Sequence, residues 1–144
     1  MKVKDIMTKD LTAVRENQTL KALIFLLESS ELSGVPVIDE QGTVVGFISE
    51  RDVISAALPN YFEMLRTASY LPDINQLSRR LEEIKGDLVS EYMVKEVITV
   101  NLDEEDIHVA DLIIRNELNR VPVVDEDGML AGIVQRIDLL GALL

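Results

Sequence analysis

The chain has 144 residues, no cysteine and a formal net charge of −12 at pH 7. These values exclude disulfides and thiolate metal sites, and they disfavour nucleic acid as the main partner because carboxylates repel a phosphate backbone. Hydrophobic residues make up 47% and aromatic residues 4% of the chain, so we expect a buried core built from aliphatic side chains.

No segment has the features of a membrane or export signal. The N-terminus carries lysines and no apolar run, and the longest apolar stretch, Leu20–Leu27, contains Lys21 and is too short to cross a bilayer. The simplest expectation is a soluble cytoplasmic protein that binds neither membrane nor nucleic acid.

The first predicted elements are a short strand and an amphipathic helix. Leu11–Val14 contains β-branched residues and is a predicted short strand, and Asn17 is a candidate helix cap. Apolar residues then recur at helical spacing, which predicts one buried helix face. The predicted face comprises Leu20, Leu23, Ile24 and Leu27.

A β-hairpin and a second helix follow. Val35–Ile38 is a predicted strand, and Glu40–Gly42 a turn whose glycine can adopt positive φ. Val44–Ile48 is the predicted return strand, and the second helix is expected to begin near Ser49. The order of elements is therefore β-α-β-β-α.

The same elements recur 86 residues later, the distance from Asp39 to Asp125 (125 minus 39). Val97–Val100 repeats the first strand, and Asp103 is its candidate cap, with Glu104 and Glu105 in the first helical turn. A slip of one residue is expected in this helix, with its apolar face at Ile107, Ala110, Ile113 and Ile114. The hairpin repeats as Val121–Val134, and the last helix begins near Gln135.

This repeat predicts the fold. A unit of about 50 residues has a marginal core alone, whereas two units packed together bury their apolar faces mutually. We therefore expect an α/β protein of the α+β type, with two β-α-β-β-α repeats related by a pseudo-two-fold axis. The predicted ranges are repeat one at 1–57, a helical connector at 58–87 and repeat two at 88–144.

The connector has no counterpart in the repeat. Leu77–Lys85 predicts an amphipathic helix ended by Gly86, and Phe62, Leu65 and Tyr70 could cover an apolar surface. Two interpretations stand at this point: an ordered helical connector, and an element that docks a partner or a second copy.

The end of the first hairpin has residue types suited to an anionic ligand. Gly46 permits close approach to the strand, Ser49 offers a hydroxyl at a helix start, and Asp52 could accept hydrogen bonds from a ribose diol. Plain helix capping explains Ser49 and Asp52 equally well.

Taken together, these motifs resemble the CBS domain family. The shared pattern is a Val-Pro-Val strand, an Asp-x-x-Gly turn and a Gly-hydrophobic-hydrophobic-Ser/Thr-x-x-Asp helix start. It is complete in repeat one, whereas repeat two has Gln135 where Ser or Thr is expected. The openings around Met7 and Met93 also resemble the family; as plain residues, they are interpreted as core side chains.

The resemblance implies one well-equipped adenine-nucleotide site that both repeats complete. Phosphate and ribose would be held by the motif residues of repeat one and by an arginine of repeat two, with an adenine slot beside them. The implied residues are Ser49, Asp52, Arg120, Asn119, Ile98, Thr99, Val121, Pro122 and Arg136. For Arg120, the alternative is a solvated surface residue paired with a carboxylate.

A second, weaker site is implied where the repeats exchange roles. It lacks both the hydroxyl and the arginine, so phosphate would be held weakly there. Its implied residues are Asp138, Gln135, Gly34, Thr12 and Ala13.

The expected function is a regulatory module that binds AMP, ADP or ATP and acts in trans on a separate protein. The sequence leaves open which nucleotide binds and whether Mg²⁺ accompanies it. The alternatives are a sensor of another adenosyl ligand such as S-adenosylmethionine, and a structural pair with vestigial sites. An enzyme is the least favoured reading, because no nucleophile–base pair is visible and His108 is the only histidine.

No catalytic cofactor and no metal site are expected, since the acidic run Asp103–Asp106 suits a solvated first helical turn. The resemblance also implies a homodimer formed through helix faces. The implied surface comprises Val53, Ile54, Ala57, Leu139, Leu140 and Leu143.

Overall fold

Two three-stranded sheets, one from each half of the sequence, form the frame of the protein. The structure is a computed structural model that describes residues 1–58 and 74–144. Phe62, Leu65 and Tyr70, discussed above, lie outside the described residues.

The elements of repeat one are α1 (Val3–Ile6), β1 (Val14–Arg15), α2 (Leu20–Ser30), β2 (Gly34–Ile38), β3 (Val44–Ser49) and α3 (Glu50–Ala57). The helix α4 (Ile74–Ile84) and a 3₁₀ turn (Val89–Glu91) follow. The elements of repeat two are β4 (Val100–Asn101), α5 (Asp106–Arg115), β5 (Arg120–Val124), β6 (Leu130–Gln135) and α6 (Arg136–Leu143).

The predicted α+β fold with two β-α-β-β-α units is confirmed. In each sheet the first strand runs parallel to the second, and the second pairs antiparallel with the third. Every strand of repeat two begins and ends 86 residues after its counterpart in repeat one. The helices α5 and α6 likewise begin 86 residues after α2 and α3. The duplication therefore extends to the element boundaries.

The two hairpin turns are built alike and touch each other. Gly42 and Gly128 have φ of 89° and 78°, as the turns require. Asp39 accepts hydrogen bonds from two backbone N–H groups of its own turn. The Val44 N–H donates to the Gly128 carbonyl at 3.1 Å, so the turn of one repeat is tied to that of the other.

The predicted helix caps were wrong by two residues. The caps are Thr19, whose Oγ1 accepts from the Ala22 N–H at 3.2 Å, and Glu105. Asn17 and Asp103 precede the helices because the chain first makes a turn after each short strand. In repeat two, Glu104 closes that turn by accepting from the Asn101 N–H at 3.3 Å.

The predicted apolar face of α5 is confirmed at Ala110 and Ile113 and wrong at Ile107 and Ile114, and no one-residue slip occurs. Ile107 and Ile114 are 75% and 79% exposed, whereas Val109 and Ile113 are buried. The buried pair lies 86 residues after Leu23 and Leu27, so the two helices keep the register of the repeat.

The first strand of each repeat is shorter in the structure than predicted. Leu11 is exposed, and the Thr12 N–H donates to Asp10 Oδ1 at 2.9 Å instead of joining a ladder. Because of this local turn, β1 begins only at Val14. Likewise β4 begins at Val100 rather than Val97.

Each repeat's core is completed by the segment that leads into the other repeat. Two segments, residues 3–8 and residues 89–94, pack against the other repeat in this way, and we call them the crossing segments. Val3 and Ile6 lie in the core of repeat two, whereas Val89 lies in the core of repeat one. Thr8 pairs with Ile133 of β6 in the same manner.

Two strand glycines make room for the crossing segments. A Cβ added at Gly46 would lie 2.7 Å from Met93 Sδ and 2.8 Å from the Val94 carbonyl oxygen. At Gly132 the corresponding neighbours are Met7 Sδ and the Thr8 carbonyl. The close approach that the sequence suggested for a ligand at Gly46 is therefore made by the chain itself.

The connector helix packs against repeat one. The helix predicted over 77–85 is observed as α4, and it places Leu77, Leu81 and Ile84 against the first core. A docking role for residues 58–87 stays a prediction.

Part of the surface implied for a dimer belongs to the core instead. Val53, Ala57 and Leu139 are buried because they face their own sheets. The other implied residues, on α3 and α6, are exposed: Ile54, Leu140 and Leu143.

Among residues 1–58 and 74–144, none of the helices has the length and apolar composition needed to span a bilayer.

The space at Gly46 yields a stability prediction. Gly46→Ala should lower the free energy of unfolding by about 1–3 kcal/mol, because the methyl group would overlap the backbone of Val94. Urea unfolding followed by circular dichroism measures the change. Gly86→Ala is the matched control, since nothing lies within 4 Å of a Cβ there. Equal stability of the two variants would contradict the packing described.

Candidate ligand-binding site

A cavity of about 490 Å³ opens where the two repeats meet. Its wall combines the end of β3, the start of α3, the start of β5 and part of the segment between Val94 and Ile98. The lining residues are Ser33, Gly34, Phe47, Ser49, Glu50, Arg51, Val94, Glu96, Val97, Ile98, Glu117, Leu118, Asn119, Arg120 and Pro122.

Ser49 caps α3 and borders the cavity. Its backbone N–H donates to Asp52 Oδ2 at 2.9 Å, its hydroxyl lies 3.1 Å from the same oxygen, and the Asp52 N–H points back to Ser49 Oγ at 3.4 Å. This capping box satisfies backbone donors that a helix start leaves free. Asp52 is engaged by the cap and is not a lining residue.

Arg120 is a buried cation with an incomplete set of partners. Its side chain is 7% exposed, and Nη2 lies 3.5 Å from Asp10 Oδ2, an ion pair without hydrogen-bond geometry. Nε and Nη2 are buried and have no hydrogen-bond partner. Buried donors left in this state cost about 1–3 kcal/mol each, so their presence in a cavity wall points to a ligand acceptor.

Asp10 is held in place by a residue other than Arg120. Oδ1 accepts from the Thr12 hydroxyl at 2.6 Å and from the Thr12 N–H at 2.9 Å. These hydrogen bonds, followed by the charge of Arg120, lower the pKa of the Asp10 carboxyl below its usual value.

The rim of the cavity is more acidic than the sequence interpretation foresaw. Three exposed carboxylates, Glu50, Glu96 and Glu117, and the exposed Arg51 stand around the buried Arg120. Glu96 lies 86 residues after Asp10, so the repeat places these two carboxylates at equivalent positions, but neither belongs to a motif. Glu117 stands in a left-handed turn before β5 (φ 52°), as its counterpart Glu31 does before β2 (φ 57°), and belongs to no motif.

The structure brings together five of the nine residues implied for the main site. They are Ser49, Ile98, Asn119, Arg120 and Pro122.

The other four lie outside the lining. Val121 is fully buried in the second core, and Arg136 Nε donates to the Leu118 carbonyl at 2.8 Å. Asp52 is bound to Ser49, and Thr99 is half-buried next to the lining residue Ile98.

Several residues implied for the second site lie near Arg120, since Gln135 is its sheet partner and Thr12 binds its ion-pair partner Asp10. Asp138 accepts from the Gln135 N–H at 2.8 Å and from the Thr8 hydroxyl at 3.2 Å, and Gln135 caps α6. Thr12 is bound to Asp10, and Ala13 borders a separate depression beside α2.

Gly34 lines the main cavity instead of the second site. A Cβ there would lie 2.8 Å from Phe47 Cε1 and 3.1 Å from Ser49 Cβ. Its missing side chain therefore leaves space beside the serine.

Within the described ranges no cluster of three or more His, Asp or Glu side chains has metal-binding geometry. The acidic run has other neighbours: Lys4 Nζ lies 3.4 Å from Asp103 Oδ1, and His108 Nε2 lies 2.9 Å from Glu104 Oε2.

A family model described as the CBS domain matches residues 3–59 and 89–144. The chain belongs to the CBS domain family. A relative from Methanocaldococcus jannaschii, the uncharacterized protein MJ1426, is 32% identical, and the match covers 100% of this chain and 92% of the relative.

Solved structures of CBS-pair proteins have the same architecture. CBSX2 from Arabidopsis thaliana superposes with a TM-score of 0.81 at 28% identity, covering 99% of this chain and 93% of that one. A structure of CBSX2 in complex with AMP gives 0.75 at 27% identity, with 99% and 95% covered. The CBS pair of MJ0100, in complex with 5′-methylthioadenosine and S-adenosyl-L-methionine, gives 0.69 at 25% identity, with 99% and 95% covered.

The lowered pKa of Asp10 yields a pH prediction. A depressed pKa in the folded state stabilises the protein above the unfolded value near 3.8, and the contribution is lost as pH falls through the lower folded value. We expect Asp10→Asn to be less stable than the parent protein at pH 6 and the difference to shrink as the pH falls below 3.8. Chemical unfolding across this range measures it. A difference that grows on acidification would contradict the assignment.

The incomplete pairing of Arg120 yields a second prediction. Arg120→Met should leave the stability of the ligand-free protein unchanged or raise it by about 1 kcal/mol, because a buried cation is replaced by an apolar side chain of similar length. Thermal unfolding measures the change, with Arg115→Met on the exposed face of α5 as control. A loss above about 2 kcal/mol would show that the guanidinium holds the fold together.

Proposed function

We propose that this chain is a regulatory module that binds an adenine nucleotide in the cavity between its repeats and acts on a separate protein. The observation that carries the proposal is the buried guanidinium of Arg120, a residue of the cavity wall whose Nε and Nη2 lack hydrogen-bond partners. A phosphate group supplies such acceptors with complementary charge.

The cavity suits the parts of a nucleotide. Its volume of about 490 Å³ falls in the range of small-molecule sites. Val97, Ile98 and Pro122 offer apolar surface to a purine, and the Ser49 hydroxyl at the start of α3 offers a donor to phosphate or ribose. In this arrangement Asp52 would reach a ribose diol once its bond to the Ser49 hydroxyl is released.

The relatives support the ligand class. CBSX2 has been crystallised with AMP, and the MJ0100 pair with two adenosyl compounds. The part that these ligands share is the adenine base with its ribose ring, whose base suits the apolar slot, whereas their charges differ. For this chain we propose AMP, ADP or ATP, with Mg²⁺ as an optional companion of the longer phosphates and no catalytic role for the module.

A second candidate function is a structural pair that assembles through its helices. Four apolar side chains of α3 and α6 are exposed, which is typical of an interaction surface. They are Ile54, Ile137, Leu140 and Leu143. A homodimer on this face is compatible with nucleotide binding, and the structural role alone is the alternative to it.

Thermal stabilisation separates the two candidates. AMP, ADP, ATP and S-adenosylmethionine are added at millimolar concentration, and unfolding is followed by scanning fluorimetry or calorimetry. A ligand at one hundred times its dissociation constant adds about 2.7 kcal/mol to the free energy of unfolding. Absence of any shift with all four would overturn the sensor proposal and leave the structural role.

Variants locate the site. Arg120→Gln should abolish most of the shift produced by AMP, because the phosphate loses its buried cation. Arg115→Gln, which removes an arginine that is 73% exposed on α5, should retain the full shift. Equal shifts for the two variants would place the ligand elsewhere on the protein.

A further inference from the structure

Arg120 has one charged neighbour in the described part of the chain. Asp10 is the carboxylate within 4 Å of the guanidinium, and it comes from the loop that leads into β1, whereas Arg120 begins β5. The ion pair therefore joins the two repeats at the border of the cavity.

The pair is poorly formed for two reasons. The 3.5 Å separation lacks hydrogen-bond geometry, and Oδ1 of Asp10 is already occupied by the Thr12 hydroxyl and N–H. The carboxylate thus neutralises Arg120 in part and leaves its N–H groups unsatisfied. A ligand phosphate could satisfy them, but it would have to share or displace the charge of Asp10.

We propose that Asp10 is an internal competitor for the anionic group of the ligand, so that it sets how strongly the site prefers phosphorylated over uncharged adenosyl compounds. This inference rests on the proposed function. With Asp10 in place, the free energy gained by the contact between Arg120 and phosphate is reduced by the cost of separating Arg120 from Asp10. The base and ribose contacts are unaffected by this exchange.

The repeat supplies a natural control. Glu96 stands 86 residues after Asp10 and lines the same cavity, but the residue equivalent to Arg120 in repeat one is Gly34. In the described part of the chain Arg120 forms its ion pair with Asp10 and not with Glu96, so the charge of Glu96 acts only through the general electrostatic field of the rim. Comparing Asp10→Asn with Glu96→Gln therefore distinguishes the effect of the ion pair with Arg120 from the effect of negative charge at the rim.

The test measures the affinities of adenosine and AMP by isothermal titration calorimetry for the parent protein and four variants. These are Asp10→Asn, Glu96→Gln, Arg120→Gln and the double variant Asp10→Asn with Arg120→Gln. Asparagine keeps an oxygen for the Thr12 hydrogen bonds, so the loop conformation is retained. If Asp10→Asn does not fold, as judged by circular dichroism, Asp10→Ser takes its place.

We expect Asp10→Asn to bind AMP roughly five- to tenfold more tightly, the range for removing a competing ion pair that is partly buried. Adenosine affinity should stay within about twofold, and the gain for AMP should disappear in the Arg120→Gln background. Glu96→Gln should change AMP affinity by less than about threefold.

Three results would overturn the inference. Unchanged AMP affinity in Asp10→Asn, an equal gain for adenosine, or a gain that persists without Arg120 would each show that Asp10 does not compete with phosphate. These results leave the proposed function intact. If neither the parent protein nor any variant binds adenosine or AMP, the proposed function fails, and the inference fails with it.

Discussion

The exchange of crossing segments is the constraint on which the rest of the structure depends. Each repeat is too small to close its own core, and the missing apolar side chains come from the stretch of chain that leads into the other repeat. Gly46 and Gly132 permit this because a side chain at either position would collide with a methionine and a backbone carbonyl. The same crossing carries the segment after Val94 past the end of β3, and so builds one wall of the cavity.

Burial of Arg120 contrasts with the rest of the interior. The described core is aliphatic, and no other charged side chain with unsatisfied groups borders the main cavity within residues 1–58 and 74–144. A cation in such a place costs free energy unless it is fully paired, and the pairing with Asp10 is partial. The residue is therefore better explained by the proposed ligand than by a contribution to stability. Local imperfection of this kind is common where a protein keeps a site ready for a ligand.

The sequence predicted the fold well because the repeat carries redundant information. Two copies of the Pro-containing strand, the Asp-x-x-Gly turn and the helix start fixed the hairpins and sheets. Errors arose where local patterns allow more than one reading. Ile107 and Ile114 have helical spacing but face solvent, because tertiary packing, not periodicity, selects the buried side. At the site, Arg120 and Ser49 were found through their motifs, whereas no motif marked the rim glutamates. The ion-pair partner of Arg120 could not be found without the conformation of the loop that precedes β1.

Because of the crossing segments, neither half of the sequence contains all the residues of one core. If the chain were divided between residues 58 and 74, the first fragment would carry Val3 and Ile6, which complete the core of the second, and the second would carry Val89, which completes the core of the first. The halves are thus complementary fragments instead of independent domains. Each would need the other to fold, and the cavity would exist only in the reassembled pair.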